Sequence, residues 1–104
     1  GKMARPCKCR QVAGIPSAKY FKPNGIPLFE LQERILSVEE VEALRLADVL
    51  QLSMEEAATQ MGITRHTFSR ILKKARSSVA SALVNGYALR IDGGTYQIKN
   101  TKEE

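Results

Sequence analysis

The chain has no Trp, one His and two Cys among 104 residues, and three Phe with three Tyr leave aliphatic side chains to build most of any core. Each scarcity excludes something. Cys7 and Cys9 are too close in sequence for an easy intrachain disulfide, and two thiols make no disulfide framework. A tetrahedral zinc site in one chain needs two further ligands, yet His66 is the only histidine. Two chains sharing four thiolates across a dimer stay open as an alternative. The expectation is free thiols in a reducing cytoplasm, with no metal and no cofactor.

Catalytic constellations are missing too, so no enzyme is expected. His66 has no carboxylate partner nearby in sequence, and no Gly-rich phosphate loop or nucleophile elbow occurs. Two cysteines without a base are poor nucleophiles. No apolar stretch approaches the ~20 residues of a membrane span, and no charged-then-apolar leader opens the sequence. These absences point to a soluble, cytoplasmic and nucleoid-associated protein without a membrane partner. Its length suits one domain of about 100–150 residues.

What the chain does have is sharply segregated charge. Residues 1–36 carry seven Lys/Arg against Glu30 and Glu33, net +5. Residues 37–62 carry Arg45 against six acids, net −5, and residues 63–86 carry five bases and no acid, net +5. The last eighteen residues balance. Two separate segments therefore build a positive surface, and a polyanion is its natural partner because neutralised phosphates release counterions.

Three parts follow from the pattern. Residues 1–36 form an extended basic arm and docking segment, interrupted by Pro6, Pro16, Pro23 and Pro27. Residues 37–86 form a helix-turn-helix domain. Residues 87–104 read as a β-hairpin, with strands at 87–91 and 95–98 joined through Asp92-Gly93-Gly94, and a tail. The expected fold is thus mainly α: three helices with a basic N-terminal arm and a C-terminal hairpin.

Within 37–86 the helix signals are explicit. Ser37 with Glu40, and Ser53 with Glu56, have capping-box spacing. Gly62 is placed to end the second helix, Thr64 to cap a third, and Gly86 to stop it after Asn85. Phe68, Leu72, Ala75, Val79 and Leu83 form the third helix's apolar stripe. A helix-turn-helix needs small residues where the helices cross, a tight turn, and a second helix with a phosphate-tolerant face. Ala57-Ala58, Met61-Gly62-Ile63-Thr64 and the basic third helix supply them. The competing reading is an ordinary helix pair with a solvated basic face; caps, turn, charge and period together favour the motif.

With the stripe inward, His66, Ser69, Arg70, Lys73 and Ser77 fall within about 100° of one another on the far side. Arg70 is placed for a bidentate guanine contact, with Thr64, Arg65, His66, Thr67 and Ser69 at the end that enters the groove. Lys73, Lys74 and Arg76 suit the phosphate backbone. Arg5, Lys8 and Arg10 make a second candidate, an arm for the adjacent minor groove. Glu39, Glu40, Glu42 and Asp48 should face away from DNA or pair with the arm.

The strings MARPCKCRQV, FKPNGIPL, VEEVEALRLADVLQLSMEEAATQMGITRHTFSRIL and ALVNGYALRIDGG resemble a small prokaryotic group, domain-of-unknown-function family 134, over nearly all of residues 3–94. The resemblance implies a helix-turn-helix similar to region four of sigma factors, and DNA binding through the helix starting near Thr64. Some members carry a further domain like those of nitrogenase iron–molybdenum cofactor proteins, which is not expected here. Where Cys7 stands, the family often has Arg, which argues against a metal site needing both cysteines.

The function expected is sequence-specific binding of double-stranded DNA by a transcriptional regulator. Its distal helix, at Val79, Ala82 and Leu83, would complete either the core or a homodimer interface. RNA binding, or docking on RNA polymerase as an interaction module, are the alternatives.

Overall fold

A computed structural model describes residues 9–98. The order of elements is β1 (Arg10–Val12), β2 (Tyr20–Phe21), a 3-10 turn (Leu28–Glu30), β3 (Glu33–Leu36), α1 (Val38–Leu44), α2 (Met54–Met61), α3 (Arg65–Asn85), β4 (Ala88–Ile91) and β5 (Tyr96–Ile98). A π-helical segment, Arg45–Val49, continues α1, closed by Leu50 N–H donating to the Arg45 carbonyl at 2.9 Å. No described helix is long and apolar enough to cross a membrane.

The local helix signals all operate. Ser37 and Ser53 each accept from the amide three residues on, while Glu40 and Glu56 reach back to the cap amides. Gly62 takes the left-handed backbone, φ 68°, with Ile63 N–H bonding back to the Ala58 carbonyl at 3.0 Å. That geometry closes α2 and is strained for any residue with a Cβ. Thr64 caps α3 by accepting from the Thr67 amide, and α3 ends at Asn85 before Gly86.

The fold class departs from the mainly α expectation. Five strands build two small sheets beside the helices, so the protein is mixed α/β. One sheet pairs β1 with β5 in parallel, Val12 opposite Ile98. The other has the order β2-β4-β3, with β2 antiparallel and β3 parallel to β4.

The C-terminal hairpin does not form, for a topological reason. A strand has two hydrogen-bonding edges, and both edges of β4 are taken by β2 and β3. The intervening glycines instead carry the chain across the start of α1, where the Gly93 carbonyl accepts from the Val38 amide at 3.1 Å. β5 then finds β1. The basic arm is corrected in the same way: residues 10–12 are a core strand, with Val12 at 0% exposure. Arg5, Lys8 and Cys7 lie outside the described residues.

Two apolar clusters meet along α3. Ala43, Leu46, Ala57, Ala58, Met61, Phe68 and Leu72 join α1, the π segment and α2 to the first half of α3. The methyl side chains of Ala57 and Ala58 let α2 and α3 approach closely. Val12, Leu36, Val38, Ala75 and Ile91 join both sheets to its middle. At the distal end the predicted stripe is corrected, since Ala82 is buried while Leu83 is 78% exposed. Outside the core, the Arg90 guanidinium binds Glu33 through two hydrogen bonds, and the Tyr20 hydroxyl donates to the same carboxylate at 2.8 Å. The Arg90 hydrogen bond first, then that of Tyr20, holds Glu33 below the usual carboxylate range, and the bond to Glu33 pushes the Tyr20 phenol up.

Candidate nucleic-acid interface

The α2–turn–α3 unit fixes where each candidate side chain stands. Phe68, Leu72 and Ala75 anchor one face of α3 in the core, so residues offset by about half a turn must point outward. His66, Ser69, Arg70 and Lys73 are exposed on that outer face, together with Ser77. Among the described residues, no ion pair involves Arg70 or Lys73.

The other predicted residues divide by their partners. Arg65 reaches Glu55 across the turn at 3.8 Å, with both side chains well exposed, so the pair is weak. Lys74 lies 3.8 Å from Glu40, whose carboxylate is largely buried by its role at the α1 cap. Arg76 makes two hydrogen bonds to Asp48 and so turns away from Lys74 toward the π segment. The two side chains leave α3 about 160° apart. Thr64 spends both hydrogen-bonding functions locally: its oxygen accepts from the Thr67 amide, and its hydroxyl donates to the Thr67 oxygen at 3.0 Å. The Thr67 hydroxyl proton is thereby left pointing elsewhere.

Arg10 arrives from β1, far away in sequence. It lines a groove of about 600 Å³ with Thr67, Arg70, Lys73, Lys74 and Ser77 of α3, and Glu39 and Glu40 of α1. A neighbouring hollow of about 430 Å³ joins Arg10 to Gly62, Ile63, Thr64 and Thr67. Arg10 thus flanks the beginning of α3, and the fold brings this one base of the N-terminal segment to the basic side of α3.

Sequence reasoning missed the acidic wall of that groove. Glu42 stands outside that groove, receiving the Arg45 guanidinium and the Ala13 amide. Glu39, by contrast, lines the groove while accepting from the Thr95 amide at 3.1 Å. The capping box was the available signal, because it fixes Glu39 and Glu40 on the first turn of α1. What the sequence lacked was the packing of that turn against α3. No group of three or more potential metal ligands occurs among the described residues.

As a surface, this arrangement can bind phosphates through Lys73, Lys74 and Arg10 while offering Arg70, His66 and Ser69 as donors and acceptors. Comparison with known proteins adds a family but no activity. The profile described as Protein of unknown function DUF134 matches residues 1–99. A UPF0251 protein of Desulforudis audaxviator is 58% identical over 95 residues, covering 91% of this chain and 62% of the relative. The chain therefore spans about three-fifths of that relative's length. A UPF0251 protein of Dehalococcoides mccartyi is 56% identical over 96 residues, 92% of this chain and 82% of its own. One from Moorella thermoacetica is 51% identical over 100 residues, 96% of this chain and 67% of its own. No solved structure matches the chain significantly.

Proposed function

Starting from a chain that belongs to the uncharacterised family described as Protein of unknown function DUF134, we propose that it binds double-stranded DNA sequence-specifically through α2 and α3. It acts as a transcriptional regulator rather than an enzyme. The observation that carries this reading is the outer face of α3, where Arg70 and Lys73 stand exposed and without an ion-pair partner among the described residues, directly after a capped tight turn. α3 enters the major groove, Arg70 donates bidentately to a guanine edge, and His66 and Ser69 meet neighbouring bases. Lys73, Lys74, Arg10 and the Thr67 hydroxyl hold phosphates, which sets register without reading sequence. Arg5 and Lys8 extend this grip into the adjacent minor groove, and the protein works at the nucleoid.

The test is a binding-site selection with purified protein, followed by titration of the selected duplex, matched duplex RNA and single strands. Arg70→Ala should weaken duplex DNA binding by roughly 10- to 100-fold and relax the preference at one base position. Preference for RNA would overturn the proposal.

A second reading has one observation in its favour. The exposed side of α2 carries Glu55 and Glu56 beside Thr59 and Gln60, a surface that repels phosphate and suits a basic protein partner. Docking on RNA polymerase through α2 predicts that Arg70→Ala with Lys73→Ala leaves transcriptional activity intact.

A further inference from the structure

The dipeptide Asn-Gly occurs twice in the chain, at Asn24-Gly25 and at Asn85-Gly86, and the fold treats the two differently. Asparagine before glycine cyclises readily, because glycine has no side chain to keep its own nitrogen from the preceding side-chain carbonyl. The reaction needs that nitrogen unengaged and the local backbone free to rotate.

Asn85 meets neither condition. It is the last residue of α3, and its side-chain amide donates to the Ser81 carbonyl at 3.0 Å. The Gly86 N–H donates to the Ala82 carbonyl at 2.8 Å, so ring closure there requires the helix end to open first. Asn24 and Gly25 instead form an exposed turn between β2 and the 3-10 turn. Among the described residues, neither the Asn24 side chain nor the Gly25 amide takes part in a hydrogen bond. Gly25 holds φ +88° with open space where a Cβ would stand, so nothing packs over the pair. The residues that make this turn are therefore also the ones that leave it reactive.

We propose that Asn24 is a site of slow self-modification. The Gly25 nitrogen attacks the Asn24 side-chain carbonyl carbon, and the new C–N bond closes a succinimide. Ammonia leaves, carrying the side-chain nitrogen and the proton given up by the Gly25 amide. Water then opens either C–N bond of the imide, giving aspartate or isoaspartate at this position. No electrons are exchanged, and water is the sole co-reactant. Either product is an anion close to Lys22, within the segment that carries the chain's N-terminal positive excess. Isoaspartate also lengthens the main chain just before Ile26, whose side chain lies beside Gly86 at the end of α3. The site stands apart from the DNA-binding reading.

The test ages the purified chain at neutral and mildly alkaline pH and follows its tryptic peptides by mass spectrometry. Asn24 falls in the peptide Tyr20–Arg34 and Asn85 in Ser77–Arg90, so each is read separately. The mass gain of amide-to-acid exchange should accumulate in the first at least about tenfold faster than in the second. Fragmentation should place it at Asn24 rather than Gln32, as a chromatographic doublet of aspartate and isoaspartate. In guanidinium, with the helix end gone, the two rates should converge. Equal rates in the folded protein, faster change at Asn85, or an Asn24 that stays intact while the unfolded chain reacts would overturn the inference.

Discussion

The Arg76 guanidinium meets the Asp48 carboxylate through two hydrogen bonds, 3.1 Å from Nε and 2.6 Å from Nη2, fastening the middle of α3 to the π segment that ends α1. A basic residue of α3 is thus committed to holding that helix in place. On the proposed DNA-binding reading, the pair orients the exposed face of α3 that carries Arg70 and Lys73.

The Arg76 hydrogen bond holds the Asp48 carboxyl below its usual range. A depressed carboxylate contributes stability that is fully present above the ordinary aspartate value and is lost as pH falls through the lowered one. Denaturant unfolding of wild type and Asp48→Asn should therefore differ at pH 7 by no more than about 1 kcal/mol, given the pair's exposure. The difference should close below about pH 4. A gap that widens in acid contradicts the assignment. Arg76→Ala should also weaken DNA binding less than Arg70→Ala does.

β1 belongs to the core, and Val12 is the residue that tests this. Val12→Ala should destabilise the protein by about 1–3 kcal/mol, measured by urea unfolding, because a fully buried side chain loses its contacts. A loosely attached arm would tolerate the change within about 0.5 kcal/mol.

Gly94 stands where a side chain has neither room nor a permitted backbone. Its φ is +112°, and a Cβ there would overlap the Glu39 carboxylate and the Ser37 Cβ. Gly94→Ala should cost about 1–3 kcal/mol. Gly94→Ala combined with Glu39→Ala should cost less than the two single changes together, because the overlap is then partly relieved. Additivity in thermal melts would count against this packing.

Arg10 and Lys74 line one groove from different elements. If both hold phosphates, Arg10→Ala and Lys74→Ala should each reduce the slope of log affinity against log salt by about 0.9. Their effect should be nearly the same on selected and unrelated duplexes, whereas Arg70→Ala should act mainly on the selected one. Unchanged slopes in both variants would remove these two residues from the interface.

Much of the helical frame could be read directly from the chain, because caps and stops act within four residues. Ser37 with Glu40, Ser53 with Glu56, Gly62, Thr64 and Gly86 each name a boundary that local chemistry enforces. β4 and β5 were legible as strands but not in their pairing, and β1, β2 and β3 were hidden because their partners are distant and their bodies are short. β2 is two residues long, β1 is three, and neither has enough alternation to announce itself. The Gly93-Gly94 signal was read as a hairpin turn, yet β5 beyond it pairs with β1, since turn chemistry says nothing about which edges are already occupied. Leu83 kept the helical period yet faces outward, because the inward stripe steps from Val79 to Ala82 and Leu83 stands about 100° further round the helix. For the candidate site, the exposed face of α3 followed from its stripe, while the acidic wall and the approach of Arg10 depended on tertiary packing.

The pairing of β1 with β5 has a consequence for how the molecule assembles. Arg10 and Tyr96 come together across almost the whole described chain, so this contact closes the longest loop in the fold. Loop-closure entropy rises as about (3/2)RT ln n, whereas the α2–α3 corner closes over a few residues and forms on a far shorter timescale. We expect the helical corner to organise first and the terminal sheet to join last. Pulsed hydrogen exchange during refolding should show the α3 amides protected ahead of those of Gln11 and Val12. Because Arg10 is delivered to the groove only by that final step, a chain still completing its fold would present α3 without its flanking cation.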